Sequence, residues 1–191
     1  GILTKKEVKA AVKSAQNLNW HKAHKSQPEL TMAVVCDKPL HFDEQATPKT
    51  WRNNRMSDCP GIKILAAKMR KAAGGSQIPL PHLSVLKGSA SAKRTVRNVH
   101  GATLIITALS GDLIISEIGG QRRLNLEQGQ VWRMEETWEE AALQLKQQGM
   151  WAESRSTEAM SQVTCKLQRE CKRKTCAFTH TRDGRPPEQR C

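Results

Sequence analysis

The chain has 191 residues, enough for one ordinary domain with a small appendage or for two small domains. Its formal net charge of +13 and its pI of about 9.8 favour a polyanionic partner, nucleic acid before an anionic membrane surface. No apolar run approaches the roughly 20 residues that cross a bilayer, and no secretory signal pattern is seen. We therefore expect no membrane span and an intracellular location: cytoplasm, nucleus or virion.

Charge alternates along the chain. Residues 1–30 carry six Lys and two Glu, and residues 59–111 carry eight Lys or Arg and no acid. Residues 113–160 reverse the sign with eight Glu against five Lys or Arg, and residues 161–191 return to eight Lys or Arg against three acids. This pattern predicts two basic surfaces separated by an acidic element.

The N-terminal segment has the features of a helix followed by a strand. Thr4 and Glu7 form a capping-box pattern, which marks the start of a helix. Apolar residues then recur at helical spacing over about four turns: Val8, Ala11, Val12 and Ala15. The apolar run 30–36 predicts a strand.

The middle of the chain predicts one helix and a set of strands. Residues 62–73 have an apolar helical face, and Gly74 and Gly75 end it. The apolar runs 103–109 and 113–118 flank a turn of hairpin length. Weaker strand patterns follow at 122–126 and 129–132, so a small antiparallel meander is expected.

Residues 134–149 have the features of a third helix. Four glutamates enrich its first turns, where the helix dipole favours acids, and an apolar side follows: Trp138, Ala141, Ala142 and Leu145. The acidic part, 135–148, offers a surface for a protein partner. The expected fold class is therefore α+β, a small antiparallel β meander with about three helices and a C-terminal metal-binding module.

Two segments of the body mix features that suit RNA. Trp51 and Arg55 lie in the loop-like stretch 39–60, where an aromatic ring can stack on bases and guanidinium groups can pair with phosphates. The alternative role for Trp51 is to anchor this loop to the core. A second basic segment is expected to be a loop and contains Lys93, Arg94 and Arg97.

The pattern most specific to one kind of chemistry lies near the C-terminus. Three cysteines and one histidine are separated by five, four and three residues: Cys165, Cys171, Cys176 and His180. Four such ligands are what a structural zinc ion takes in a closed tetrahedral site. Cys191 is an alternative fourth ligand. Between and beside the ligands lie cations without an evident packing role, which are expected to meet phosphates: Arg169, Lys172, Arg173 and Lys174.

This segment resembles the Cys-Cys-Cys-His zinc fingers found in many RNA-binding proteins. The last ligands of that family read Cys-x-aromatic-x-His, as Cys176, Phe178 and His180 do here. The spacing is similar to that of the compact fingers that bind polyadenosine. The resemblance implies that the three cysteines and His180 bind zinc and that Phe178 stacks on a base.

These patterns predict a basic α+β body over residues 1–150, with an internal break near 75–82, a linker over 151–164, and a zinc finger and tail over 165–191. The expected function is RNA binding without enzymatic activity. One alternative is a structural component of a ribonucleoprotein or virion. The other is a viral cysteine protease in which Cys59 pairs with His82 or His100. Otherwise Cys36, Cys59 and Cys191 are expected to be free thiols in a reducing compartment.

Overall fold

The computed structural model describes residues 2–24, 26–36, 54–74, 82–99 and 103–155. Two of the three predicted helices are confirmed. Helix α1 (Lys5–Gln16) begins with a complete capping box: the Thr4 hydroxyl accepts from the Glu7 amide at 3.2 Å, and the Glu7 carboxylate accepts from the Thr4 amide at 2.8 Å. Helix α2 (Pro60–Ala73) starts with a proline and ends at Gly74, whose φ of 123° only glycine adopts readily.

The strands in the described ranges are, in chain order, β1 (His21–His24), β2 (Gln27–Cys36), β3 (His82–Gly88), β4 (Lys93–Arg97), β5 (Leu104–Ser110), β6 (Leu113–Glu117), β7 (Arg123–Leu126), β8 (Val131–Arg133), β9 (Glu140–Leu145) and β10 (Gly149–Arg155). A single turn of 3-10 helix, Met56–Asp58, precedes α2. The strand predicted over 30–36 forms the greater part of β2.

The strands form two sheets in a jelly-roll order. One sheet has six strands in the order β1-β2-β3-β10-β5-β8, and the other has four in the order β4-β9-β6-β7. Every named pair is antiparallel. From β3 to β10 the chain changes sheet at each connection except the one from β6 to β7, the crossing pattern of a jelly roll. β1 and β2 extend the β3 edge.

Three layers result, with one apolar core on each side of the six-stranded sheet. The first core joins that sheet to the helices and includes Val8, Ile62, Leu65, Val85, Ile105 and Ala152. The second lies between the two sheets and includes Leu86, Leu104, Ile106, Leu113, Ile115, Leu143 and Trp151. Because strand side chains alternate, β10 directs Met150 and Ala152 to the helices, and Trp151 and Glu153 between the sheets.

The predicted meander is wrong, although its strands exist. The turn at Gly111 does not close a hairpin, because β5 pairs with β10 and β8 whereas β6 pairs with β7 and β9. The connection is as short as a hairpin loop but carries the chain from one sheet to the other. Strand β5 is buried along almost its whole length, so its continuous apolar run reflects a core on both faces.

The predicted third helix over 134–149 is also wrong. Residues 134–139 form a loop, and Glu140–Leu145 is strand β9, in which Ala141, Leu143 and Leu145 are buried and the residues between them are less so. The segment is rich in residues with high helix propensity, whereas pairing with β4 and β6 decides its conformation. The acidic helix offered as a partner surface is therefore absent, and its glutamates lie in this loop and at the start of β9.

The linker predicted over 151–164 does not begin at residue 151. Trp151 to Arg155 belong to β10, which lies between β3 and β5 in the six-stranded sheet. Within the described ranges, neither helix is long and apolar enough to cross a membrane.

Candidate polyanion-binding surface and a buried charge cluster

The solvent-facing side of the two helices is strongly basic. Within α1 and α2 there are eight lysines or arginines and a single acid, Glu7. Both helices bury their apolar faces against the six-stranded sheet, so their polar residues must face water. The exposed cations of this helical surface are Lys5, Lys6, Lys9, Lys13, Lys63 and Lys71.

Ion pairs between described residues neutralise one of these cations. Lys68 pairs with Glu7 across the two helices at 3.2 Å. Among the described residues, no carboxylate lies within ion-pair distance of the six exposed lysines. Lys5, Lys9 and Lys13 are spaced four residues apart, so their ammonium groups are neighbours on one side of α1 and repel one another. This repulsion destabilises α1.

The two helices cross closely, and a groove lies at one side of the crossing. A Cβ on Gly61 would lie 2.1 Å from the Ala10 carbonyl oxygen, and the Gly61 amide donates to the Ser14 hydroxyl at 3.0 Å. A groove of about 440 Å³ opens beside this contact. Lys13, Asn17, Asp58 and the 42% exposed Ile64 are among its lining residues.

The predicted basic loop 93–97 is an edge strand, β4, which divides its cations between two environments. Lys93 and Arg97 point outward on the four-stranded sheet, and Arg97 forms an ion pair with Glu140. Arg94 points between the sheets, where its guanidinium donates to the Glu153 carboxylate. Of the three, Lys93 and Arg97 lie on an outer surface, on the far side of the molecule from α1.

Arg94 belongs to a charge cluster at one end of the sandwich. Its Nε lies 2.9 and 3.1 Å from the two carboxylate oxygens of Glu153, and its Nη2 also contacts that carboxylate. The side chain of Glu153 is 8% exposed. Arg155, two residues along the same face of β10, reaches the other sheet and donates from Nη2 to the Arg97 carbonyl oxygen at 2.5 Å.

The other predicted site residues fall mostly outside the described ranges. Arg55 is within them: it is exposed, and its backbone bridges to Cys36 just before the 3-10 turn. Trp51, the zinc ligands Cys165, Cys171, Cys176 and His180, and the finger residues Arg169, Lys172, Arg173, Lys174 and Phe178 lie outside the described residues. Within the described ranges, no three His, Cys, Asp or Glu side chains converge to hold a metal ion.

The thiol of the protease alternative, Cys59, has a raised pKa. Cys59 is buried just before α2, and burial together with the neighbouring Asp58 raises the pKa of its thiol. An attacking cysteine needs a lowered pKa, because the thiolate is the reactive form. The backbone of His82 pairs with Cys36 in the sheet, and burial raises the pKa of Cys36 to about 11. His100 lies outside the described residues.

The helix lysines were not among the predicted site residues. Their pattern was present in the sequence as three lysines at four-residue intervals on a helix with an apolar opposite face. No local sequence pattern predicts the Arg94–Glu153 pair, since the two residues are 59 positions apart.

No protein-family model and no curated protein sequence matches this chain. Solved structures similar to it include KdgF from Halomonas sp., with 12% identity and a TM-score of 0.42 over 74% of this chain and 87% of that one. An HTH_3 family transcriptional regulator from Vibrio cholerae has 9% identity and a TM-score of 0.40 over 71% and 55%. Ectoine synthase from P. lautus has 15% identity and a TM-score of 0.33 over 39% and 52%. At these values none assigns an activity, and the jelly-roll description rests on this chain's own strand order.

Proposed function

We propose that this protein binds RNA, with the helical surface of α1 and α2 neutralising phosphates and the C-terminal Cys-His segment forming a second contact. The observation that supports the proposal is the set of six exposed lysines without a carboxylate partner among the described residues. Their unpaired positive charge is concentrated on the solvent-facing side of α1 and α2, and such a concentration is typical of a polyanion-binding surface.

Phosphate neutralisation supplies most of the affinity in such a complex and makes it salt-dependent. The lysine row on α1, Lys5, Lys9 and Lys13, is suited to this role. Phosphates bound between these neighbouring ammonium groups would attract them and offset their mutual repulsion. Lys93 and Arg97, on the far side of the molecule from α1, would form a separate contact, and Arg55 and the finger residues would add others. Stacking on Phe178 and Trp51 would favour single strands.

Replacing Lys9 with glutamate is expected to change RNA affinity and protein stability in opposite directions. The change converts two like-charge pairs, with Lys5 and Lys13, into opposite-charge pairs, and is expected to stabilise the protein by roughly 0.5–1 kcal/mol. It is expected at the same time to weaken binding to single-stranded RNA and to lower the slope of log affinity against log salt by about 0.7 for each phosphate that is no longer neutralised. Urea unfolding and a fluorescence-anisotropy salt series measure the two effects.

Arg123→Glu is the matched control, because Arg123 is an exposed cation on β7 in the four-stranded sheet and undergoes the same two-unit charge change. The helical surface is the binding surface if Lys9→Glu weakens RNA binding clearly more than the control does. Equal reductions in affinity would mean that only total charge matters. An unchanged affinity and salt slope for Lys9→Glu would refute the proposal for this surface.

We also propose that Cys165, Cys171, Cys176 and His180 bind one zinc ion, supported by their number and spacing. Metal analysis of the purified chain is then expected to give about one zinc per molecule, and Cys176→Ser to release it. Cys36→Ser is the control for removal of a thiol elsewhere in the chain. Zinc content unaffected by Cys176→Ser would show that this set of ligands is wrong.

A further inference from the structure

The charge cluster between the sheets has one positive charge more than it can pair. Glu153 supplies a single carboxylate, and both of its oxygens are taken by Arg94. Arg155 lies on the same face of β10, and its guanidinium donates to a neutral acceptor, the Arg97 carbonyl. The two guanidinium groups of Arg94 and Arg155 and the one carboxylate of Glu153 together carry a net charge of +1.

The second guanidinium also has an unsatisfied donor. Nη1 of Arg155 is buried and has no hydrogen-bond partner among the described residues. Burial lowers the pKa of Arg155, Glu153 raises it, and Arg94 lowers it through charge repulsion. Arg155 is half-buried, and a partly desolvated cation without a carboxylate in ion-pair contact is unfavourable.

The position of Arg155 favours a ligand over a purely structural role. Among the described residues, the Glu153 carboxylate accepts from Arg94, and no hydrogen bond or ion pair joins it to Arg155. The Nη2 of Arg155 donates to the Arg97 carbonyl, whereas the N–H donors of Nη1 have no acceptor among the described residues. Guanidinium groups bind carboxylates and phosphates strongly through such donors.

We propose that Arg155, supported by Arg94, forms a binding site for a small oxyanion at this end of the jelly roll. The ligand class is a compact anion with carboxylate or phosphate oxygens, which completes the charge balance of the cluster. Glu153 acts as a positioning residue that holds Arg94 beside the site. The site is separate from the helical surface, which lies on the other side of the six-stranded sheet.

Nuclear magnetic resonance of the arginine side chains tests the proposal. The Nε–H signal of Arg94, assigned by its disappearance in Arg94→Lys, is followed while sodium acetate or sodium phosphate is titrated at constant ionic strength. The wild-type protein is expected to show a saturable shift with a single site. A stronger response to acetate or to phosphate identifies which oxyanion the site prefers.

Arg155→Gln is expected to weaken the saturable response at least tenfold. Arg97→Gln, which removes the same charge from a side chain that is 78% exposed at the same end of the molecule, is expected to keep it. A linear, unsaturated shift in the wild type would overturn the proposal. So would an equal saturable shift in Arg155→Gln, which would indicate an adventitious ion only. The wild-type titration decides the matter even if a variant fails to fold.

Discussion

Replacing Glu153 with glutamine is expected to destabilise the protein by about 3–5 kcal/mol, because it leaves two guanidinium groups between the sheets without a carboxylate. The substitution keeps the size of the side chain, so the effect reports charge and hydrogen bonding and not a cavity. Chemical unfolding in urea, with the midpoint and slope both recorded, measures the change in free energy of unfolding.

Glu140→Gln is the matched control. Glu140 also pairs with an arginine of β4, Arg97, but on the outer face of the sheet, where the arginine side chain is 78% exposed against 31% for Arg94. Water screens that pair, so its removal is expected to cost less than about 1 kcal/mol. If the two substitutions cost the same small amount, Glu153 is solvated and the cluster is not a buried one.

The second large effect is expected at Gly61. In an ordinary helix interior, glycine to alanine stabilises by about 1 kcal/mol. Here the new Cβ would lie 2.1 Å from the oxygen and 2.3 Å from the carbon of the Ala10 carbonyl, which are backbone atoms of α1 and cannot rotate away. Gly61→Ala is therefore expected to force the helices apart and destabilise by about 2–3 kcal/mol.

Ala67→Gly on the exposed side of α2 provides the reference, since it measures the propensity difference without a steric change. Thermal and urea unfolding of both variants then separate the two contributions. Because the displaced helix α1 carries the lysine row, Gly61→Ala is also expected to weaken RNA binding under conditions in which it remains folded. A stabilised Gly61→Ala protein would show that the helices do not approach each other so closely.

Local patterns predicted the first two helices correctly because the residues that define each helix are close together in the sequence. The Thr4–Glu7 capping box, the apolar spacing that follows, and the glycine after 62–73 all lie within one or two turns of the elements that they define. The lysine row is equally local, since its four-residue spacing can be read directly from the sequence. These features need no knowledge of how the chain packs.

Local patterns did not predict which strands pair with one another in the sheets. The segment 140–145 has helix-favouring residues, yet it forms β9 because β4 and β6 supply its hydrogen-bond partners. The connection at Gly111 has hairpin length, yet its two strands pair with strands that lie elsewhere in the chain. A short turn limits the distance between the two strands that it connects, but it does not specify the strand with which each of them pairs.

Local sequence patterns predict the basic character of the protein, its two helices, most of its strand segments, and a Cys-His spacing suited to zinc. The jelly-roll order, the inward direction of Arg94 beside the outward Lys93 and Arg97, and the position of Arg155 beside Glu153 between the sheets are visible only in the folded chain. Charge, capping and periodicity are properties of neighbouring residues. Sheet order and buried ion pairs depend on residues brought together from distant parts of the chain.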